Sequence, residues 1–310
     1  MDKKEEYLNE LLENPGGAQV LSDKLSQLLD DKEFYKYGLL VPIIEKLLSC
    51  GYENTVLSQF SHILQRALKD EILDIAEMIS DVPEGQDTLT NNAAQVIARL
   101  DGEDIVDFID LLSDEKKQEI FERNEYSYNL YRQGLIREST LGGIIKGDVS
   151  IFVEEIIKEV SEGKELKKIG DEGTYSDAME TNGYVIKLGE TRDKFEIPYH
   201  PNILQPLLRE RISDKEGKDI LIVEVQDKVD TKNVTEEQRQ ELINKLKESK
   251  IKCKDILYGN IGILQKPNQR RLFDGVGGIT DHKNIKEETL KPGEPVVYDT
   301  DMIEYDDSER

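Results

Sequence analysis

The feature that most constrains this chain is a change in the spacing of its apolar residues. From Lys3 to about Arg137 they recur at helical intervals: Leu8, Leu11 and Leu12, then Leu21, Leu25, Leu28 and Leu29, then Ile43, Ile44, Leu47 and Leu48. Val56, Phe60, Ile63, Leu64 and Leu68 continue the pattern, followed by Ile72, Ile75 and Ile79. Gly16-Gly17, Gly51, Pro83-Glu84-Gly85 and Asp101-Gly102 punctuate the runs as turns. Short helices joined by tight turns predict an all-α domain over 1–145, a bundle or an array. No fixed-period repeat in the residue identities names a particular solenoid.

Beyond Gly142, Gly143 and Gly147 the texture changes. Val149 to Val160 still has helical spacing, but the chain then alternates β-type runs with turns. Gly183 to Leu188 is such a run, and Asp219 to Val225 (DILIVEV) has the β-branched continuity of a buried strand. Thr235, with Gln238 three residues on, predicts a capping box opening a helix that buries Leu242, Ile243 and Leu246. Gly262 to Gln265 and Pro295 to Tyr298 are two more short strands. Strands, one helix and further short strands predict an α+β domain over 146–310.

Charge narrows the partners. Lysine and arginine number 41 against 65 aspartate and glutamate, so the net charge is 41 minus 65, or -24. Such a chain repels phosphate backbones and anionic membranes, which excludes nonspecific binding to nucleic acid or membrane. A basic partner remains compatible, as does a nucleotide whose charge is carried by a divalent cation. Cys50 and Cys253 cannot form a disulfide scaffold, and His62, His200 and His282 stand too far apart for a zinc site. The polar start MDKKEEYLNE does not read as a signal peptide, and no apolar run reaches the length of a membrane span. A cytoplasmic protein is expected.

The residues with chemistry lie in the second half. In IKCKDILYGNIGIL, Asp255 precedes a turn and Asn260 follows five positions later (260 minus 255) at a strand edge. A carboxylate there can accept a proton from an attacking hydroxyl, and the amide oxygen can ligate a hard cation. Downstream, the apolar VVY delivers Asp299 to a strand end, with Thr300 and Asp301 after it. Carboxylates so held suit magnesium bridging two phosphates.

This stretch resembles the protein-kinase-like superfamily, in which an acid, four residues and an Asn form the catalytic loop. Cys253-Lys254-Asp255 stands where that family has His-Arg-Asp, so only the acid matches, and Asp299-Thr300-Asp301 stands for its Asp-Phe-Gly. Upstream, Ile169 to Ser176, with Gly170 and Gly173, resembles a glycine-rich phosphate-covering loop that lacks its third glycine. Tyr184-Val185-Ile186-Lys187 is similar to the strand whose lysine pairs with the α and β phosphates. His200-Pro201-Asn202-Ile203-Leu204 resembles the segment before the fourth strand, and Glu224-Val225-Gln226 sits where a hinge meets adenine through backbone groups. The resemblance covers roughly 165–304. It implies ATP and Mg2+ as ligands, Asp255 as base, Lys187 on the phosphates, and Asn260, Asp299 and Asp301 on the metal.

The departures set the rival expectations. Little room for a helix separates Lys187 from His200, so the acidic partner of Lys187 is open among Glu190, Glu196 and Glu210. Asp255 and Asp299 are 44 apart, which implies an insertion near 268–292 around Gly275-Val276-Gly277-Gly278. Only nine residues follow Asp301, so the implied kinase-like domain is minimal, with a truncated C-terminal lobe. One reading is a kinase transferring the γ-phosphate to an unidentified acceptor, with the helical domain available to a protein partner. The alternative is a pseudokinase serving as a regulatory interaction module. A third takes Asp299-Thr300-Asp301 as the metal motif of a nucleotide-sugar glycosyltransferase.

Overall fold

The computed structural model describes residues 3–31, 34–169, 176–189, 200, 202–204, 206–213, 217–253, 260–265, 292–298 and 303–305. Twelve α-helices come first among them: α1 (Lys3–Glu13), α2 (Gly17–Asp30), α3 (Leu40–Ser49), α4 (Glu53–Ser58), α5 (Phe60–Arg66), α6 (Glu71–Ser80), α7 (Gly85–Arg99), α8 (Gly102–Leu111), α9 (Asp114–Arg123), α10 (Glu125–Arg132), α11 (Glu138–Gly147) and α12 (Ser150–Ser161). Then come β1 (Lys167–Ile169), β2 (Ser176–Thr181), β3 (Tyr184–Gly189), β4 (Leu208–Ser213), β5 (Asp219–Asp227) and β6 (Val229–Asp230). Helix α13 (Glu236–Glu248) precedes β7 (Ile251–Cys253), β8 (Ile261–Leu264), β9 (Pro295–Val297) and β10 (Ile303–Tyr305). The layout is thus all-helical at first and α+β thereafter. No described helix is long and apolar enough to cross a membrane.

Two compact units divide the chain, and they interleave. One comprises 1–129 with 141–150, the other 130–140 with 151–310. The expected boundary at 145/146 therefore falls inside α11. The segment 130–140 joins the strands because β2 holds it. The buried Asp177 carboxylate accepts from the Arg137 backbone N–H at 2.8 Å, Arg137 Nε at 3.1 Å and Thr140 Oγ1 at 2.6 Å.

In the first unit one continuous core runs from Leu8 to Ile120 and takes in or packs against the apolar residues that repeat at helical spacing, apart from Leu68, which is exposed. Side-chain bonds between its helices recur at sequence separations of 32 to 35 residues. Tyr52 Oη donates to Gln19 Oε1 at 2.8 Å, Ser22 and Thr55 share a bond of 2.9 Å, and Ser61 Oγ donates to Gln95 Oε1 at 3.0 Å. Arg99 reaches back to the carbonyls of Leu64 and Ala67, capping the open end of α5. The helices stack as an array with a near-constant step, which is how a solenoid buries a core that no single repeat could close. The periodicity lies in the packing more than in the residue identities.

The sequence does mark it at two corners. A Cβ on Gly17 would stand 1.8 Å from the Leu11 carbonyl oxygen, and one on Gly85 would stand 1.8 Å from that of Ile79. In both corners the glycine follows Pro-x and lies six residues after the helix carbonyl it meets. The two corners are 68 residues apart (85 minus 17), twice 34.

The second unit is built on a five-stranded antiparallel sheet in the order β1-β2-β3-β5-β4. Asn182 and Gly183, with φ of 50° and 83°, make the two-residue turn between β2 and β3. Both positions need positive φ, which Asn-Gly supplies at least strain. Asn182 Nδ2 also donates to the Val160 carbonyl at the end of α12. A three-stranded sheet, β6-β8-β9, and a two-stranded one, β10-β7, follow. Helix α13 opens with the anticipated capping box: Gln238 N–H donates to Thr235 Oγ1 at 3.2 Å, and Thr235 N–H to Gln238 Oε1 at 3.0 Å. Its Leu242 and Leu246 pack with Ile203, Ile251, Ile261 and Val297.

Candidate functional site

Strand register sets one face of the five-stranded sheet against the other. Side chains directly opposite in neighbouring strands share a face. Lys187 on β3 lies opposite Ala178 on β2 and Glu224 on β5, and Glu224 lies opposite Arg209 on β4. Lys187, Glu224 and Arg209 therefore form one row. The other face carries Met179, Ile186, Leu188, Leu221, Val223 and Val225, all buried, together with Asp177 and its bonds to Arg137 and Thr140. One face serves packing, and the polar row lies on the other.

Within the row, Glu224 is the hub. Its carboxylate is 4% exposed and stands 3.3 Å from Arg209 Nη1 and 3.7 Å from Lys187 Nζ. Both are ion pairs, and the longer one, beyond hydrogen-bond length, restrains the lysine by charge. Gln226, one row along and 2% exposed, has two acceptors at its amide end, Glu224 Oε1 at 3.2 Å and the Tyr298 carbonyl at 3.0 Å, which assigns its nitrogen rather than its oxygen to that side. A buried carboxylate is tolerable only when paired in this way, because an isolated one costs several kcal/mol.

The Gln226–Tyr298 bond ties this row to the far end of the unit. Strands β8 and β9 pair in the register Ile261–Val297, which sets Asn260 opposite Tyr298, and Tyr298 N–H donates to the Asn260 carbonyl at 3.1 Å. Asp299 is the next residue along the chain. The structure thus brings Lys187, Glu224, Gln226, Asn260 and the backbone leading into Asp299 to one region. Asp255, Asp299, Asp301, Gly170 and Gly173 lie outside the described residues, as do Glu190, Glu196 and the segment 268–291. Among the described residues there is no cluster of three or more His, Cys, Asp or Glu side chains set to hold a metal.

Three expectations are sharpened. Of the acids weighed as partners for Lys187, Glu210 lies opposite Val223 and so faces away; burial raises its carboxyl above the usual value. Glu224, expected to act through its backbone, brings its side chain to the lysine instead. The Val225 carbonyl accepts from Leu207 N–H at 2.7 Å, and the β4 ladder ends at the pair Leu208–Val225. Gln226 is therefore the first residue of β5 to pass beyond that ladder. Arg209 was not anticipated. The alternation of charge in Leu208-Arg209-Glu210-Arg211 was the only sign of it, and alternation alone does not say which residue meets an acid.

Asn202 and Leu204 dock along β9. Leu204 N–H donates to the Val297 carbonyl, Val297 N–H to that of Asn202, and Asn202 Nδ2 to that of Pro295. His200 Nδ1 accepts from the Asn202 N–H at 3.0 Å, a role open only to the neutral ring. Burial, and then the charge of Lys245, lowers its pKa from the ordinary 6.5. With the folded value depressed, the unfolded chain binds more protons near and below pH 6.5, so stability is lost as pH falls through that region. His200→Asn supplies an oxygen acceptor that does not titrate. Its melting temperature should fall less than the wild type's between pH 7 and pH 5, as followed by circular dichroism.

Comparison with protein-family models, curated proteins and solved structures found no match to this chain.

Proposed function

We propose that the second unit is an ATP- and magnesium-binding domain of the protein-kinase-like type, acting on an acceptor hydroxyl. One observation carries this reading: the bonds Gln226–Tyr298 and Tyr298–Asn260 tie the strand-borne lysine row to the backbone at Asn260 and Tyr298. A lysine with phosphates on one side and hard oxygen ligands on the other is what a nucleotide diphosphate bridged by a cation requires. Magnesium fits the donor set, an amide oxygen at Asn260 with carboxylates at Asp299 and Asp301; bound there, it would neutralise charge on the phosphates. In the transfer, the acceptor oxygen bonds to the γ-phosphorus, the bond to the β-γ bridging oxygen breaks, ADP leaves, and Asp255 takes the hydroxyl proton.

Thermal melting of the full chain with millimolar Mg-ATP tests the binding step. A nucleotide at 100 times its Kd should stabilise by about 2.7 kcal/mol and raise the melting temperature accordingly. Lys187→Met should abolish most of the rise. Asp255→Ala should keep the rise but lose transfer of labelled γ-phosphate, since the base serves the chemistry and not the binding. No rise in the wild type would sink the proposal.

A regulatory module without transfer is the second reading. It draws support from the buried Glu224 carboxylate, which already balances charge at Lys187 within the fold. In that case Mg-ATP raises the melting temperature and no labelled phosphate moves.

A further inference from the structure

We infer that Glu224 is the positioning residue for Lys187, a strand-borne acid that sets the lysine toward the phosphates from the neighbouring strand. The inference rests on the nucleotide reading and concerns how the same site is held. Four facts support it. The register of β3 and β5 puts Glu224 directly opposite Lys187 on the shared face. The carboxylate is buried and cannot swing to solvent, and Arg209, itself 8% exposed, fixes its other oxygen at 3.3 Å. Gln226 holds the lysine-facing oxygen, Oε1, at 3.2 Å while bonding Tyr298 beside the metal end. Finally, Glu210 faces away from the lysine.

The charges explain why an acid belongs there. Lys187 and Arg209 flank Glu224 in one lateral row, and both stand within ion-pair reach of its carboxylate. Without the carboxylate, two neighbouring cations of low exposure would repel each other. The more flexible Lys187 stem would then leave its place on the sheet. Glu224 thus acts through Lys187, while the lysine meets the ligand.

A double-mutant cycle on the full chain separates this role from a general packing role. Mg-ATP affinity is measured by titration for wild type, Glu224→Gln, Lys187→Met and the double variant. Glu224→Gln keeps the side chain's shape and removes its charge. The expected result is about a tenfold loss of affinity in the Lys187 background and no further loss once Lys187 is methionine. Equal losses in both backgrounds, or wild-type affinity in Glu224→Gln, would overturn the inference. If Glu224→Gln does not fold, Glu224→Asp, which keeps the charge but draws it back from Lys187, goes through the same cycle with the same two overturning results. A wild type that does not respond to Mg-ATP sinks the nucleotide reading and this inference with it. A wild type that responds while the cycle shows no coupling sinks the inference alone.

Discussion

Gly142→Ala is expected to destabilise the helical unit by about 3 kcal/mol, the upper range for forcing extra atoms into a packed interior. A Cβ on Gly142 in α11 would stand 1.7 Å from the Gly102 carbonyl oxygen, 2.5 Å from its carbon and 2.7 Å from its Cα. Gly102 opens α8, so both groups are helix backbone. No side chain can swing aside, and relief requires the two helices to separate. For a unit of this size the loss corresponds to a fall of about 10 °C in melting temperature, read by calorimetry or circular dichroism. Gly16→Ala is the control. There the new Cβ meets only Asn14 Oδ1 at 3.6 Å, and the backbone φ is -84°, so the change should stay within about 0.5 kcal/mol. The adjacent Gly17→Ala should behave like Gly142→Ala. Similar results for Gly16→Ala and Gly142→Ala would refute the close approach of α8 and α11.

Asp177→Ala is the second large effect, expected at about 3 to 4 kcal/mol, the range for removing one partner of a buried charged pair. The variant strands the Arg137 backbone N–H, the Thr140 hydroxyl and the Arg137 guanidinium, which all donate to one carboxylate. Two of these donors stand at the start of α11, so the strand residue does what a capping side chain normally does from within the helix's own sequence. Asp177→Asn keeps one acceptor oxygen, turns an N–H group toward the donors and should cost about 2 kcal/mol. The Arg137 amide should exchange with solvent faster in both variants than in the wild type. Unchanged exchange at that amide would show that 130–140 is held to the sheet by other means.

Much of the secondary structure was readable because its causes are local. The helical spacing of Leu21, Leu25, Leu28 and Leu29 buries all four on α2, and DILIVEV became β5, paired on both sides between β3 and β4. The capping box at Thr235 formed as its residues demand. The solenoid step was harder to read, because Ser22 with Thr55 and Ser61 with Gln95 share spacing but not identity. Only the Pro-x-Gly corners at 15–17 and 83–85 carried it in the residues themselves.

The site was legible as an order of residues along the chain but not as a set of contacts. Lys187 and Asn260 stood out by type and setting. Glu224 was noticed for its place after an apolar strand, while its side chain makes the ion pairs of the row. Arg209 has nothing in its neighbourhood to distinguish it from Arg211, which instead pairs with Asp219 at 2.8 Å. The difference is one of register: Arg209 lies opposite Glu224 and Arg211 opposite Ile222.

The amino-acid sequence by itself determined which segments are helices and strands, where their apolar faces lie, and that the net charge is -24. These follow from neighbours within a few residues and from sums over the chain. Which acid meets Lys187, which glycines touch backbone, and which stretch of chain joins the sheet were decided only in the tertiary structure. Each depends on strand register or helix packing between residues tens of positions apart. A shift of one residue in the pairing of β3 with β5 would send Glu224 to the apolar face and leave the same sequence without its row of charges.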